Sequence, residues 1–183
     1  IVPYSMEPEP EDGLLVPATI QGHEAAAYLS YLVEYYDNLP KYSIFIHASE
    51  GQWHNDLFGP STADTLRNLR FEAVEAQGFV NLRCTSAPLC PDAWFPLDPQ
   101  PNDFEYRYLY DLFPSIYAEL LNTTETATPR RIGTLCCAQF AVSRERILER
   151  PRSDYERILH WVSTTSVTDN YGIGFVLEKI WHI

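Results

Sequence analysis

Positive charge is scarce in this chain. Its 183 residues hold 13 Lys and Arg against 25 Asp and Glu, a formal net charge of -12. That balance argues against a general nucleic-acid binder or a protein of anionic membrane surfaces, both of which need a basic footprint. Long apolar runs are missing too. None reaches the ~20 residues that a membrane-spanning helix requires, so no membrane partner is expected and a cytoplasmic setting is. There is no Cys-x-x-Cys and no His-rich spacing, so no zinc site is expected. No Gly-x-Ser-x-Gly elbow surrounds any serine, which argues against an esterase-type nucleophile. No internal repeat or low-complexity tract breaks the chain.

What is present suits one domain. Apolar residues make up 45% of the chain and aromatics 14%, enough for a sizeable core and a lined pocket. Residues 1–18 are acidic and Pro-rich and read as an extended lead-in to a single domain over 19–183. The segment Ile1-Val-Pro-Tyr leaves a removed leader open. The cysteines are Cys84, Cys90, Cys136 and Cys137. Cys84 and Cys90 flank a Pro-containing loop and could bridge. The adjacent pair lies in an apolar run, where buried free thiols are expected. Asn122-Thr-Thr124 is a glycosylation sequon that matters only in a secreted protein.

The apolar pattern alternates helices with strands. Leu29, Leu32, Val33 and Tyr36 fall at i, i+3, i+4, i+7, and Asp37-Asn-Leu-Pro40 stops that helix. Ser43 to Ala48 is apolar on both faces, as strands of a parallel sheet are. Ser61 to Asp64 caps a second helix, expected to run to about Gln77, and Gly78 ends it. Phe79 to Arg83 reads as a second strand. Residues 85–103 form a Pro-rich irregular loop, a kind that is often functional. Leu109, Leu112, Phe113, Ile116, Tyr117 and Leu120 make a helical stripe that Pro114 would kink or split. Gly133 to Val142 reads as a third strand. Ser153 to Glu156 is a capping box, and Ile173 to His182 closes the chain as a helix. The layout predicts an α/β domain with a mostly parallel central sheet flanked by helices.

Ligands of open α/β sheets bind beyond the carboxyl ends of strands. His47, Glu50, Trp53, His54 and Asp56 follow the first expected strand directly. They could position a substrate, with His47 or His54 as acid or base; equally, the histidines could bond neighbouring backbone. The two histidines with Asp56 could ligate a metal, but no metal is expected because nothing in the spacing forces that geometry. Arg67 and Arg70 share a helix face and could hold an anion or pair with Glu34, Glu72 or Glu75. Leu135-Cys-Cys-Ala-Gln-Phe-Ala-Val-Ser-Arg144 reads as a core strand, or as one whose alternate residues Cys137 and Gln139 form a pocket wall; the two readings are compatible. Ser143 is placed to cap the next helix. Cys137 would act as a nucleophile only beside a basic group. Glu178 stands on an otherwise apolar helix after Gly172 and Gly174. It either faces solvent or meets the pocket as a partly buried general base with a raised pKa.

The charge is uneven. Residues 1–129 hold 5 basic and 19 acidic side chains, and residues 130–183 hold 8 and 6. Six arginines stand between Arg130 and Arg152. They form either a local basic face or ordinary solvated helix charge.

Several runs carry a resemblance over nearly the whole chain. They are Glu24-Ala-Ala-Ala-Tyr-Leu, Tyr36-Asp-Asn-Leu-Pro, Ile44-Phe-Ile-His-Ala, Trp53-His-Asn-Asp, Leu66-Arg-Asn-Leu-Arg, Cys136-Cys-Ala-Gln-Phe-Ala-Val-Ser-Arg-Glu-Arg-Ile and Phe175-Val-Leu-Glu-Lys-Ile-Trp-His. They resemble a fungal family long labelled as a domain of unknown function and taken to include the arginine-containing cyclodipeptide synthases. That resemblance implies joining arginine from aminoacyl-tRNA to a second amino acid and closing a diketopiperazine, with aminoacyl-tRNA as co-substrate and no cofactor. Glu178 would be the acid/base, with His47 and His54 lining the pocket. Asp56, Glu50 or Glu178 would meet the guanidinium, and the arginines from Arg130 to Arg152 would meet tRNA phosphates. More distantly, Gln139-Phe-Ala-Val-Ser-Arg-Glu-Arg is similar to A-type glycosyltransferases, which implies Glu178 as base and Arg144 as an anion ligand. This chain lacks their metal-binding Asp-x-Asp. A non-catalytic metabolite-binding module is the remaining alternative.

Overall fold

The computed structural model describes residues 1–55, 59–83, 93–100, 106–133 and 135–183. Asp56, Cys84 and Cys90 with the bridge they could form, and most of the Pro-rich loop lie outside the described residues. Helix α1 (Glu24–Glu34) leads into a 3-10 turn (Tyr36–Asn38) and strand β1 (Tyr42–Phe45). Helices α2 (Thr62–Arg67) and α3 (Phe71–Gln77) follow, then β2 (Phe79–Asn81) and β3 (Ala93–Trp94). Helix α4 (Arg107–Leu121), a second 3-10 turn (Glu125–Ala127), β4 (Ile132–Gly133) and β5 (Phe140–Ser143) come next. Helices α5 (Arg144–Leu148), α6 (Arg152–Thr164) and α7 (Asn170–Glu178) end the described elements.

Among the described residues the expected mostly parallel sheet is absent. β1, β5 and β2 form a three-stranded antiparallel sheet with β5 in the middle, and β3 and β4 form an antiparallel pair. The A-type glycosyltransferase architecture inferred with the parallel sheet falls with it. The inference rested on apolar residues along both faces of β1, and both faces are indeed covered. Phe45, Phe79, Phe140 and Val142 pack with Tyr28 and Leu32 of α1 and with Trp181. Ile44, Val80 and Ala141 pack on the other side with Val74 of α3. Two covered faces give the same sequence pattern whichever way the strands run. Strand direction is set by the connections, and here β5 runs antiparallel between two partners that precede it in sequence. Each buried Phe contributes about 1.5–3 kcal/mol, so even short strands are held firmly.

Four local expectations also change. The long third strand is split into β4 and β5 by a turn in which Cys137 (φ 87) and Ala138 (φ 45) both take left-handed backbone. The second helix breaks at Asn68, where the backbone restarts as α3 from Arg70. Helix α4 continues through Pro114 rather than splitting. The Ser153 capping box is not formed, since α6 is already helical at Arg152 and its N-cap is Pro151.

The main core joins α1, α4, α6 and α7 through Leu29, Phe113, Leu120, Trp161, Val162 and Ile173. Asp169 caps α7 by accepting the Gly172 N–H at 2.8 Å. Packed on this core, α7 carries its last residue, Glu178, to the turn before β5. Among the described residues no helix is long and apolar enough to cross a membrane.

Candidate functional site

The turn at 136–138 is the centre of the site. Two consecutive non-glycine residues with positive φ cost on the order of 1–3 kcal/mol each, so the surroundings must hold them. One Glu178 oxygen, Oε1, accepts the Cys137 N–H at 3.0 Å. His47 Nε2 lies 3.0 Å from the Cys137 carbonyl. A carbonyl oxygen only accepts, so Nε2 carries the proton and donates. One peptide residue thus holds an acid from α7 and a histidine from just beyond β1.

Gln139 is 1% exposed and binds three partners. Its amide nitrogen donates to His54 Nδ1 at 3.1 Å and to Asn55 Oδ1 at 2.9 Å. Its oxygen takes the His47 backbone N–H at a long 3.5 Å. An amide nitrogen only donates, so His54 Nδ1 is an acceptor and the ring proton sits on Nε2. The His47 and His54 rings are edge-to-face, 5.4 Å between centroids. Asn55 is fixed in turn by donating to the Pro60 carbonyl and Thr62 Oγ1.

Cys136 and Cys137 are bonded to each other. The expectation of two free thiols is therefore corrected. The positive φ at Cys137 lets adjacent residues turn their sulfurs together. Arg83, 2% exposed, aims Nη1 at Cys136 Sγ (2.7 Å) and Cys137 Sγ (3.4 Å). Its guanidinium also lies 5.2 Å from the ring of Trp53, which is 63% exposed.

Beside this turn lies a cleft of about 410 Å³ bounded by Asn81, Arg83, Ala138, Glu178, Trp181 and His182, among others. Glu178 is half-buried in its wall. Burial pushes its carboxyl above the ordinary carboxylate range. The Lys179 ammonium, the Cys137 N–H and His47 oppose that shift, and Glu24 adds to it. The position at the last turn of α7 also disfavours a negative charge. Lys179 is 6% exposed, with its ammonium 4.5 Å from the Phe175 ring. Burial lowers the His182 pKa, and Arg146 lowers it further. The shift moves the carboxyl toward the range where a proton carrier works best, whereas the imidazole is shifted away from neutral pH and its uncharged form is favoured.

Glu178 and His47 thus meet at Cys137, with Gln139, His54 and Trp53 on the His47 side, but of the expected pocket residues Glu178 alone is among those that line this cleft, and His47, His54, Cys137 and Gln139 are not. Glu50 is exposed. Arg67 and Arg70 are exposed on α2 and the start of α3, with Arg67 paired to Asp64. Ser143 caps α5 by accepting the Arg146 N–H. Arg144 follows at the far end of β5 from Gln139, so the two do not line one cleft. Arg144, Arg146, Arg150 and Arg152 pair with Glu145, Glu149, Asp154 and Glu156 respectively. Surface pairs of this kind are worth about 0–1 kcal/mol. Arg83, Asn81 and His182 were not singled out by sequence. Arg83 ends the apolar run Phe79-Val-Asn-Leu, where a charge must be satisfied inside, and that was the available signal. Among the described residues no three His, Cys, Asp or Glu side chains gather as metal ligands.

No curated protein and no solved structure matches the chain. One family model does, over residues 1–183, and its description is Protein of unknown function (DUF3431). With the whole length matched, the chain belongs to that family.

Proposed function

We propose that this chain is an aminoacyl transferase of the cyclodipeptide synthase type, joining an arginyl group to a second aminoacyl group, both drawn from aminoacyl-tRNA. The observation that carries the reading is Glu178, a half-buried carboxyl with a raised pKa in the wall of a cleft, oriented by the Cys137 N–H. The motif resemblance to arginine-containing cyclodipeptide synthases supports it independently.

The chemistry needs one proton carrier and no oxidant or energy source beyond the esters. The amine of one aminoacyl group attacks the ester carbonyl of the other. The C–N bond forms, the ester C–O bond breaks, and Glu178 takes the amine proton and returns it to the departing ribose hydroxyl. A second attack within the dipeptidyl ester closes the ring and frees the second tRNA. Trp181 and Phe79, part-exposed in the cleft wall, offer aromatic surface for a guanidinium. The tRNA would approach the arginines from Arg130 to Arg152, whose surface pairs are weak enough to exchange for phosphates.

The test is incubation with arginyl-tRNA and a panel of second aminoacyl-tRNAs, with mass spectrometry for a cyclic product. A product lost in Glu178→Gln is the expected result. No product with any second amino acid overturns the reading.

A further inference from the structure

The Cys136–Cys137 disulfide joins neighbours in sequence, and one of them presents both of its backbone groups to the site. Its N–H holds Glu178 and its carbonyl holds His47. We propose that this disulfide is a redox-sensitive latch: closed, it keeps the turn that orients Glu178 and His47, and a dithiol reductant opens it. The latch rests on the geometry of the turn and not on which reaction the cleft performs.

Three observations support it. First, Cys137 sits at φ 87, a conformation that a residue with a Cβ rarely keeps without a constraint. The cross-link to Cys136 is such a constraint. Once it is cut, the backbone can relax toward negative φ, which swings the Cys137 N–H and carbonyl away from their partners. Second, the two sulfurs are unequally placed. Cys136 is half-buried and Cys137 is buried, so an incoming thiolate meets Cys136 Sγ first. Third, the Arg83 guanidinium contacts both sulfurs. A cation there stabilises thiolate over thiol at either sulfur, so it eases the departure of Cys137 when Cys136 is attacked.

The exchange balances. A thiolate of the dithiol attacks Cys136 Sγ, the Cys136–Cys137 bond breaks, and Cys137 leaves as a thiolate beside Arg83. The second thiolate of the reductant then attacks its own sulfur in the mixed disulfide and releases Cys136. Two electrons pass from the dithiol, which ends as a disulfide, and the chain gains two thiol protons.

The experiment reads the amide of Cys137 rather than a product. The full chain is prepared in air and again in dithiothreitol. Alkylation with peptide mapping assigns the state of Cys136 and Cys137, and amide hydrogen exchange is followed over residues 135–140. In the oxidised chain the Cys137 amide should be protected, and reduction should speed its exchange about tenfold or more. Cys136→Ala should exchange fast with or without reductant. Cys137→Gly, which takes positive φ at little cost without a cross-link, should stay protected and ignore the reductant. Equal exchange in the oxidised and reduced wild type overturns the proposal. So does a reductant response in Cys137→Gly as large as that of the wild type, or free thiols at both positions in the air-prepared chain. Loss of cyclic product in the reduced wild type, with product formed when oxidised, would connect the latch to activity. Absence of product in both states would bear only on the aminoacyl-transfer reading.

Discussion

Gln139→Met tests the polar network more directly than any catalytic assay. The substitution nearly keeps the side-chain volume and removes the amide. It withdraws the donor from two buried acceptors, His54 Nδ1 and Asn55 Oδ1. Both residues are almost fully enclosed, at 5% and 3% exposure, so water cannot readily replace the lost donor. Each such loss costs about 1–3 kcal/mol, or about 2–6 kcal/mol together. The 3.5 Å contact to the His47 N–H is too long to add much. At about 2–4 °C per kcal/mol for a chain of this size, Tm should fall by at least about 4 °C. The assay is denaturant unfolding, with the midpoint shifted at constant slope. The double variant Gln139→Met with Asn55→Leu should lose less than the two single losses added together, because each single change strands part of the other's partner. A loss under about 0.5 kcal/mol, or strict additivity, refutes the network.

Other perturbations have equally definite outcomes. Glu178 has a raised pKa, so the folded chain holds its proton more tightly than the unfolded chain. Its contribution to stability is full below the ordinary carboxylate pKa and is lost as pH rises through the folded value. Glu178→Gln should therefore unfold at higher denaturant than wild type at pH 7–8, with the difference shrinking toward pH 4.5, the ordinary value. A gain independent of pH would contradict the burial. His182 is shifted the other way, so the fold should lose stability as pH falls below its ordinary 6.5. His182→Phe should flatten that slope, as followed by thermal unfolding across pH 5–8. Gly78 ends α3 at φ 75, and an added Cβ would press on the Arg146 side chain at 3.2 Å. Gly78→Ala should cost about 1 kcal/mol or more, measured by denaturant midpoint.

The grouping of His47, His54, Gln139 and Glu178 was legible because simple rules located each one. The histidines follow a strand, Gln139 alternates with core residues, and Glu178 interrupts an apolar stripe. Strand direction was not legible. β1, β2 and β5 read the same whether their covered faces belong to a parallel or an antiparallel sheet, and only pairing decides. The bend before β5 was hidden because Cys137 and Ala138 carry no glycine signal at their positive φ. Arg144 looked close to Gln139 in sequence, but a strand extends about 3.3 Å per residue and carries the two to opposite ends of β5. The sulfur bridge was missed for the same reason as the bend: its neighbours meet only because the backbone between them is left-handed.

Glu178 and His47 meet at main-chain atoms of Cys137, so their alignment depends on a dihedral angle there, which the cross-link to Cys136 holds in the wild-type chain. Substitution at 137 is then sorted by backbone preference. Glycine keeps the angle at least cost, asparagine and aspartate come next, and β-branched residues do worst. A comparison of related chains at this position would accordingly record which residues tolerate the turn, and the chemistry of the cleft would have to be read from positions 47 and 178.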